Sequence, residues 1–258
     1  MRKIAVGCCT YTVQEAFNRE PAESLYKLAD IGYTTVEIGS FGPLGTRALK
    51  DTLKKAGLRV DSAHVSVAHE EILPATAHSI DFANTLGIRY LVTPIPTTMD
   101  KYLDNADGYR TGAEMLNALG KRYKENGIRL LYHNHQFEFK DLGGITGHQI
   151  LYEDTDPEYV GFELDVCWLS CAGIVPEEYI KKFKGRADVI HFKDKKTVPV
   201  LNVEAVGYGE LDFKAILDST IEAGARIIYV EQDGHDVRDQ FEDARLSYEY
   251  IEKLLAEV

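Results

Sequence analysis

Short apolar runs rich in β-branched residues alternate with amphipathic segments, and the alternation repeats eight times along the 258 residues. This pattern constrains the fold more than any other feature, because strands alternating with helices build a parallel sheet with helical crossovers. The strand-like runs are Lys3–Cys9, Thr34–Gly39, Leu58–Ser66, Arg89–Ile95, Ile128–His135, Tyr159–Val166, Asp188–Lys193 and Arg226–Asp233. Helices are predicted over Pro21–Ile31, Thr46–Ala56, Glu71–Leu86, Ala106–Asn126, Gly144–Asp154, Pro176–Phe183, Asp212–Ala223 and Val237–Leu255. Gly57, Gly87, Gly127 and Gly224 stand just past four of these helices, where a chain most often turns out of the helix.

Eight βα units in a chain of this length give an α/β chain folded as a (β/α)8 TIM barrel. The competing doubly wound open sheet would carry a glycine-rich turn after an early strand, and the sequence has none. Without linker, low-complexity segment or composition break, residues 1–258 read as a single domain.

Hydrophobic residues make up 45% of the chain and charged residues 27%, enough for a sizeable core. The formal charge of −12 opposes binding to a nucleic-acid backbone or an anionic membrane. There is no apolar run of about 18 residues and no signal-like N-terminus. Cys8, Cys9, Cys167 and Cys171 read as thiols of a reducing cytoplasm rather than a disulfide or zinc set, since adjacent strand residues point to opposite faces. The expectation is a cytoplasmic protein with a small-molecule partner; a homo-oligomer is compatible with it.

The strand ends carry unusual polarity. Leu130–Phe139 begins as a buried strand and then places His133, His135 and Glu138 within six residues. Each polar group withdrawn from water needs a partner, so packing alone does not explain such a strand. Alternation puts Leu131, His133 and His135 on one face, Glu163 and Asp165 inward on the sixth strand, Val189, His191 and Lys193 together on the seventh, and Ile227, Tyr229, Glu231 and Asp233 together on the eighth. Glu37 and His64 lie at similar depths on earlier strands. Catalytic groups of such a barrel gather at the C-terminal strand ends. Convergence of Asp165, His191 and Glu231 would be destabilising unless a divalent cation compensates it. An oxygen-rich set with one imidazole suits Mn²⁺, Mg²⁺ or Co²⁺, with zinc also admissible. Lys195 and Lys196, by contrast, read as a solvated charge run.

Tyr132-His133-Asn134-His135 with Glu138-Phe139, Phe162-Glu163-Leu164-Asp165, His191-Phe192-Lys193-Asp194, Gly207–Phe213 and Val230-Glu231-Gln232-Asp233 together resemble the xylose isomerase-like barrels of the sugar phosphate isomerase/epimerase superfamily. That superfamily includes tagatose and psicose epimerases, inosose dehydratase and endonuclease IV. The resemblance implies a metal held by Glu, Asp, His and Glu from the fifth to eighth strands. Asp165, His191 and Glu231 match the last three, whereas the usual strand-five glutamate is replaced by His133. Strand parity favours His133 as the substitute and carboxylate chemistry favours Glu138; the expectation formed here takes Glu138. His133, His135 and Lys193 are then expected to be catalytic, and Glu37, His64 and Asp233 to contact substrate.

The implied activity is a divalent-metal-dependent, preferably manganese-dependent, sugar isomerase or epimerase working by proton abstraction beside a metal-bound carbonyl. A histidine-rich fifth strand resembles the inosose dehydratase branch more, so a keto-sugar or inosose dehydratase is the alternative. An endonuclease IV-like nuclease is disfavoured by the negative charge and by the lack of an interleaved basic and aromatic surface. A non-catalytic binding subunit would be expected to have lost some of these ligands.

Overall fold

The computed structural model describes residues 4–39, 44–65, 72–94, 105–197, 201–234 and 238–258. The element ends expected at Lys3, Ser66, Glu71, Ile95 and Val237 lie outside the described residues.

The strands are β1 (Ala5–Cys9), β2 (Thr35–Ile38), β3 (Arg59–His64), β4 (Tyr90–Thr93), β5 (Arg129–His133), β6 (Val160–Asp165), β7 (Ala187–Phe192), β8 (Asp194–Lys196), β9 (Asn202–Glu204) and β10 (Ile227–Val230). All except β8 and β9 close into a barrel in the order β1-β10-β7-β6-β5-β4-β3-β2, with every pairing parallel. This is a (β/α)8 TIM barrel.

The helices are α1 (Gln14–Arg19), α2 (Pro21–Ile31), α3 (Thr46–Ala56), α4 (Ile72–Leu86), α5 (Ala106–Lys124), α6 (Gly147–Asp154), α7 (Val166–Cys171), α8 (Pro176–Lys182), α9 (Phe213–Ala223) and α10 (Gln240–Leu255). The four glycines read as helix stops all take positive φ, between 71° and 83°, which a residue without Cβ adopts at little cost. The short α1 and α7 are not foreshadowed by the alternation.

Side-chain alternation divides the interior into two layers. Tyr90, Val92, Leu131, Val189, Ile227 and Tyr229 pack inside the barrel. Their neighbours Leu130, Tyr132, Phe162, Leu164, Ile190, Phe192 and Ile228 face outward into the larger core shared with the helices. Leu25 and Leu28 of α2 and Leu49 and Leu53 of α3 bury the apolar stripe of each helix in that core. Each such side chain contributes about 1.5–3 kcal/mol. The inner layer is tightly filled: Gly7 is the register partner of Tyr229 on the neighbouring strand, and a Cβ on it would fall 2.4 Å from that ring. Any larger residue there would push Tyr229 out of the layer on which the site rests.

The segment Asp194–Lys196, expected to be largely solvated, instead pairs antiparallel with β9. The Asp194 carboxylate is wholly buried and accepts from the backbone N–H groups of Lys195, Gly207, Gly209, Glu210 and Leu211, at 2.8–3.2 Å. One carboxylate thus nucleates the Gly207–Leu211 loop, and a Cβ on Gly209 would fall 2.2 Å from it. Lys195 is correspondingly buried and paired with Glu210, a correction to its reading as a surface charge; Lys196 is exposed as expected.

Candidate active site and metal centre

The C-terminal ends of the strands carry the polar groups to one point. Ligand atoms of His133, Asp165, His191 and Glu231 all lie within 4.8 Å of one another. So do those of His64, His133, Glu163 and His191, giving two groups that share His133 and His191.

Glu163 is the hub. Its Oε1 is 2.9 Å from His133 Nδ1, 3.0 Å from His64 Nε2 and 3.1 Å from His191 Nε2. His191 also meets Glu231 Oε2 through Nδ1 at 3.1 Å and Glu37 Oε2 through Nε2 at 2.7 Å. Glu37 accepts from Ser62 Oγ at 2.5 Å and lies 3.2 Å from His64 Nε2. Glu37, Glu163, Asp165 and His191 are fully buried, so these charges act in a weakly screening medium. Burial alone would lower the His191 pKa, but Glu163, Glu37 and Glu231 hold it well above the ordinary imidazole value. His64 is likewise raised to about 10, the Glu37 and Glu163 carboxylates outweighing burial. Burial would raise the Glu163 carboxyl, yet His191 and His133 keep it well below the usual range.

The set fits a divalent cation. Asp165 caps α7 by accepting from Trp168 N–H through Oδ1 at 2.9 Å. Its Oδ2 is buried without a hydrogen bond, as is Glu163 Oε2. Glu163 Oε2 thus has no donor and Asp165 Oδ2 has only the Lys193 ammonium at 3.4 Å, a demand that a cation satisfies. Two imidazoles and two carboxylates suit Zn²⁺, Mn²⁺ or Co²⁺. Asn134 fixes the β6 end, accepting from Asp165 N–H at 3.0 Å and donating to the Asp165 carbonyl at 3.4 Å.

Lys193 lies beside this set, buried, with Nζ 2.7 Å from Asp233, 2.9 Å from Glu231 and 3.4 Å from Asp165. Burial opposes its charge, but the three carboxylates hold its pKa well above the lysine norm. The ammonium also stands 4.9 Å from the centre of the Trp168 ring, a cation–π contact. His135 stacks on Phe137 at 5.5 Å and tilts against Trp168 at 5.9 Å, making an aromatic wall at the mouth. Burial, then the nearby His133 and Lys193, lower its pKa to about 3, so its imidazole is neutral near pH 7.

A family model described as the xylose isomerase-like TIM barrel matches residues 25–254. The chain belongs to this family. Among its relatives is an inosose dehydratase of Clostridium perfringens, 27% identical over 250 residues and covering 82% of each chain. A sugar phosphate isomerase/epimerase of Parabacteroides distasonis superposes with a TM-score of 0.85 at 26% identity, over 96% of this chain and 93% of that one. The IOLI protein, whose structure holds a zinc atom, shares the fold with a TM-score of 0.74 at 14% identity, over 98% and 99% of the two chains.

Against this xylose isomerase-like frame, Asp165, His191 and Glu231 converge as the sequence suggests, whereas Glu138 does not join them. Glu138 follows β5 on the short turn Phe137–Phe139 and is fully buried. Its oxygens accept from Tyr132 Oη at 2.9 Å and from His135 N–H at 2.9 and 3.0 Å. Tyr132 belongs to the outer core, so the carboxylate is turned away from the barrel axis and burial raises its pKa to about 7. His133, and not Glu138, stands with Asp165, His191 and Glu231 in the cluster. Glu37 supports His191 and His64 from a fully buried position rather than opening to the mouth. His64 and Asp233 keep 12% and 29% of their side chains exposed. Sequence reasoning placed Glu163 inward but assigned it no role, and it missed Asn134 and Trp168. Parity was the signal available for Glu163; Asn134 and Trp168 gave none.

Proposed function

We propose that this barrel is a divalent-metal-dependent enzyme that removes a proton from the carbon beside the carbonyl of a keto sugar or cyclitol. The observation that carries this reading is the set His133, Asp165, His191 and Glu231, whose ligand atoms lie within 4.8 Å of one another and in which Asp165 Oδ2 makes no hydrogen bond, at the catalytic end of the barrel. These four residues would hold the cation, with Zn²⁺, Mn²⁺ and Co²⁺ the fitting ions. A cation bound there supplies Lewis-acid polarisation of a carbonyl oxygen.

The chain's own residues supply the rest. His135, neutral and at the mouth, accepts the proton, the negative charge developing on the substrate offsetting the burial and the cationic Lys193 that weaken it as a base. Lys193, held cationic by Asp165, Glu231 and Asp233, donates a hydrogen bond to the oxygen on which charge develops. Glu163 and Glu37 orient the imidazoles from behind. Trp168, Phe137 and His135 form an apolar wall suited to the C–H face of a ring. We place the protein in the cytoplasm, which suits its four free thiols, and we read residues 1–258 as one domain.

Two outcomes share this first step. Return of the proton to the neighbouring carbon gives isomerisation, and to the opposite face of the same carbon gives epimerisation, as in the relative called a sugar phosphate isomerase/epimerase. Loss of a neighbouring hydroxyl gives dehydration, as in the relatives called inosose dehydratase; the Lys193–Asp233 pair at 2.7 Å, with Asp233 partly exposed, supports this second reading as a proton donor to the departing oxygen. The test is proton-exchange NMR in D₂O over ketoses and inososes, with diamagnetic Zn²⁺ or Mg²⁺. Exchange beside a carbonyl supports the proposal, and its absence over the whole panel with metal-loaded protein counts against it. Loss of a carbinol signal separates dehydration from isomerisation.

A further inference from the structure

At the opposite end of the barrel, where the strands begin, Arg59 and Arg129 open β3 and β5, while Arg89 and Arg226 immediately precede β4 and β10. Arg59 Nε and Arg89 Nη2 share the Asp61 carboxylate at 3.2 and 2.8 Å. Arg129 Nε and Arg226 Nε share the Asp188 carboxylate at 3.0 and 3.2 Å. Four guanidinium charges therefore meet two carboxylates, on a chain whose formal charge is −12. Each arginine commits one nitrogen to its aspartate, and a guanidinium carries donors on all three. Arg59, Arg89 and Arg226 leave 58, 53 and 46% of their side chains exposed.

Two cavities open at this end, and Arg89 and Arg226 line both. One, about 570 Å³, also holds Tyr90, Arg129 and Asp188. The other, about 830 Å³, has Arg59 at its side and Ile4, Ile221, Ile227 and Leu255 as apolar lining. Both volumes are those of small-molecule sites. Asp218, also at the second cavity, is engaged by Lys214 at 3.4 Å. Tying the strands together at the barrel base would be served by one arginine per aspartate; the surplus of charge and of unengaged donors beside an apolar cavity is not explained by that role.

We propose that this end of the barrel is a second binding site, for a small organic phosphate or carboxylate with an apolar body. The anionic head lies between Arg89 and Arg226, and the body rests on Ile4, Ile221, Ile227 and Leu255. The inference is independent of the reaction at the other end.

The test is calorimetric titration of the full chain, treated with chelator so that no metal at the catalytic end captures phosphate, with phenyl phosphate and inorganic phosphate. Phenyl phosphate is expected to bind with unit stoichiometry and more tightly than inorganic phosphate. The double substitution Arg89→Gln with Arg226→Gln is expected to weaken it by about tenfold or more. Each aspartate keeps one guanidinium in that variant, through Arg59 and Arg129, so no buried carboxylate is left unpaired. On the unmodified chain, the arginine Nε–H resonances of Arg59, Arg89 and Arg226 should shift on adding phenyl phosphate. Undiminished affinity in the double variant, unmoved arginine resonances, or no advantage of phenyl phosphate over inorganic phosphate would each overturn the proposal.

Discussion

His133 Nδ1 lies 2.9 Å from Glu163 Oε1, an oxygen that His64 and His191 approach at 3.0 and 3.1 Å. Three donors on one oxygen make Glu163 the common reference for every imidazole of the cluster. Glu163→Gln keeps the shape and removes the charge. The expected outcome is a roughly 10–100-fold loss of metal affinity or of D₂O proton exchange, the range for residues that orient ligands. Calorimetric metal titration checks it, with circular dichroism to confirm the fold.

Metal removal should be felt as stability as well as activity. A cation that binds only the folded chain stabilises it by about 2.7 kcal/mol when free metal is a hundredfold above its dissociation constant. Scanning calorimetry with chelator, and then with Zn²⁺ or Mn²⁺ restored, should show the melting temperature fall and recover. An unmoved transition would contradict the assignment of His133, Asp165, His191 and Glu231.

Glu138 gives the opposite signature. Glu138→Ala leaves His135 N–H and Tyr132 Oη without their buried acceptor, which costs about 1–3 kcal/mol. Metal stoichiometry should be unchanged. Denaturant titration alongside elemental analysis separates this from a ligand role, which would lower the metal content.

Lys193→Met should uncouple binding from chemistry. The substitution removes a positive charge 2.9 Å from Glu231 and 3.4 Å from Asp165, so divalent-cation affinity should rise while D₂O proton exchange falls. Parallel calorimetry and exchange NMR read the two effects. Affinity that falls together with exchange would show that the lysine holds the ligands in place rather than competing with the cation.

A histidine remote from the cluster sets an acid limit. His148 is fully buried among Phe139, Phe162, Tyr179 and Phe183, with Nδ1 2.9 Å from Tyr179 Oη. Burial, and then Arg186, lower its pKa from 6.5 to about 3. Above pH 6.5 it is neutral folded or unfolded and contributes no pH dependence. Between that value and about 3 the unfolded chain takes up a proton that the folded chain refuses, so stability falls as pH falls, by about 1.4 kcal/mol per unit. His148→Phe should flatten that part of the stability curve measured by urea unfolding at a series of pH values.

Strand parity carried most of the legible information, because alternation of side chains is a geometric property of a single strand. It correctly put Leu131, Val189, Ile227 and Tyr229 inside the barrel, and on the same grounds aligned His133, Asp165, His191 and Glu231. It stops where the strand stops. The turn at Phe137–Phe139 carries Glu138 back onto Tyr132, which periodicity does not encode. Asp194 was unreadable for another reason: four of its five backbone partners arrive 13 to 17 residues later, so locally it resembles one more surface charge. The arginines at the strand starts are spread from Arg59 to Arg226, and only barrel closure makes them neighbours.

Asp165 uses one oxygen to begin α7 and leaves the other for the cluster. The position of Trp168, and with it the aromatic wall, is therefore geared to the same carboxylate that would grip the cation. Anyone redesigning this barrel for a bulkier ring by reshaping α7 would detune the metal in the same stroke. Specificity is better re-engineered from the Phe137 side, whose turn is anchored by Glu138 outside the ligand set.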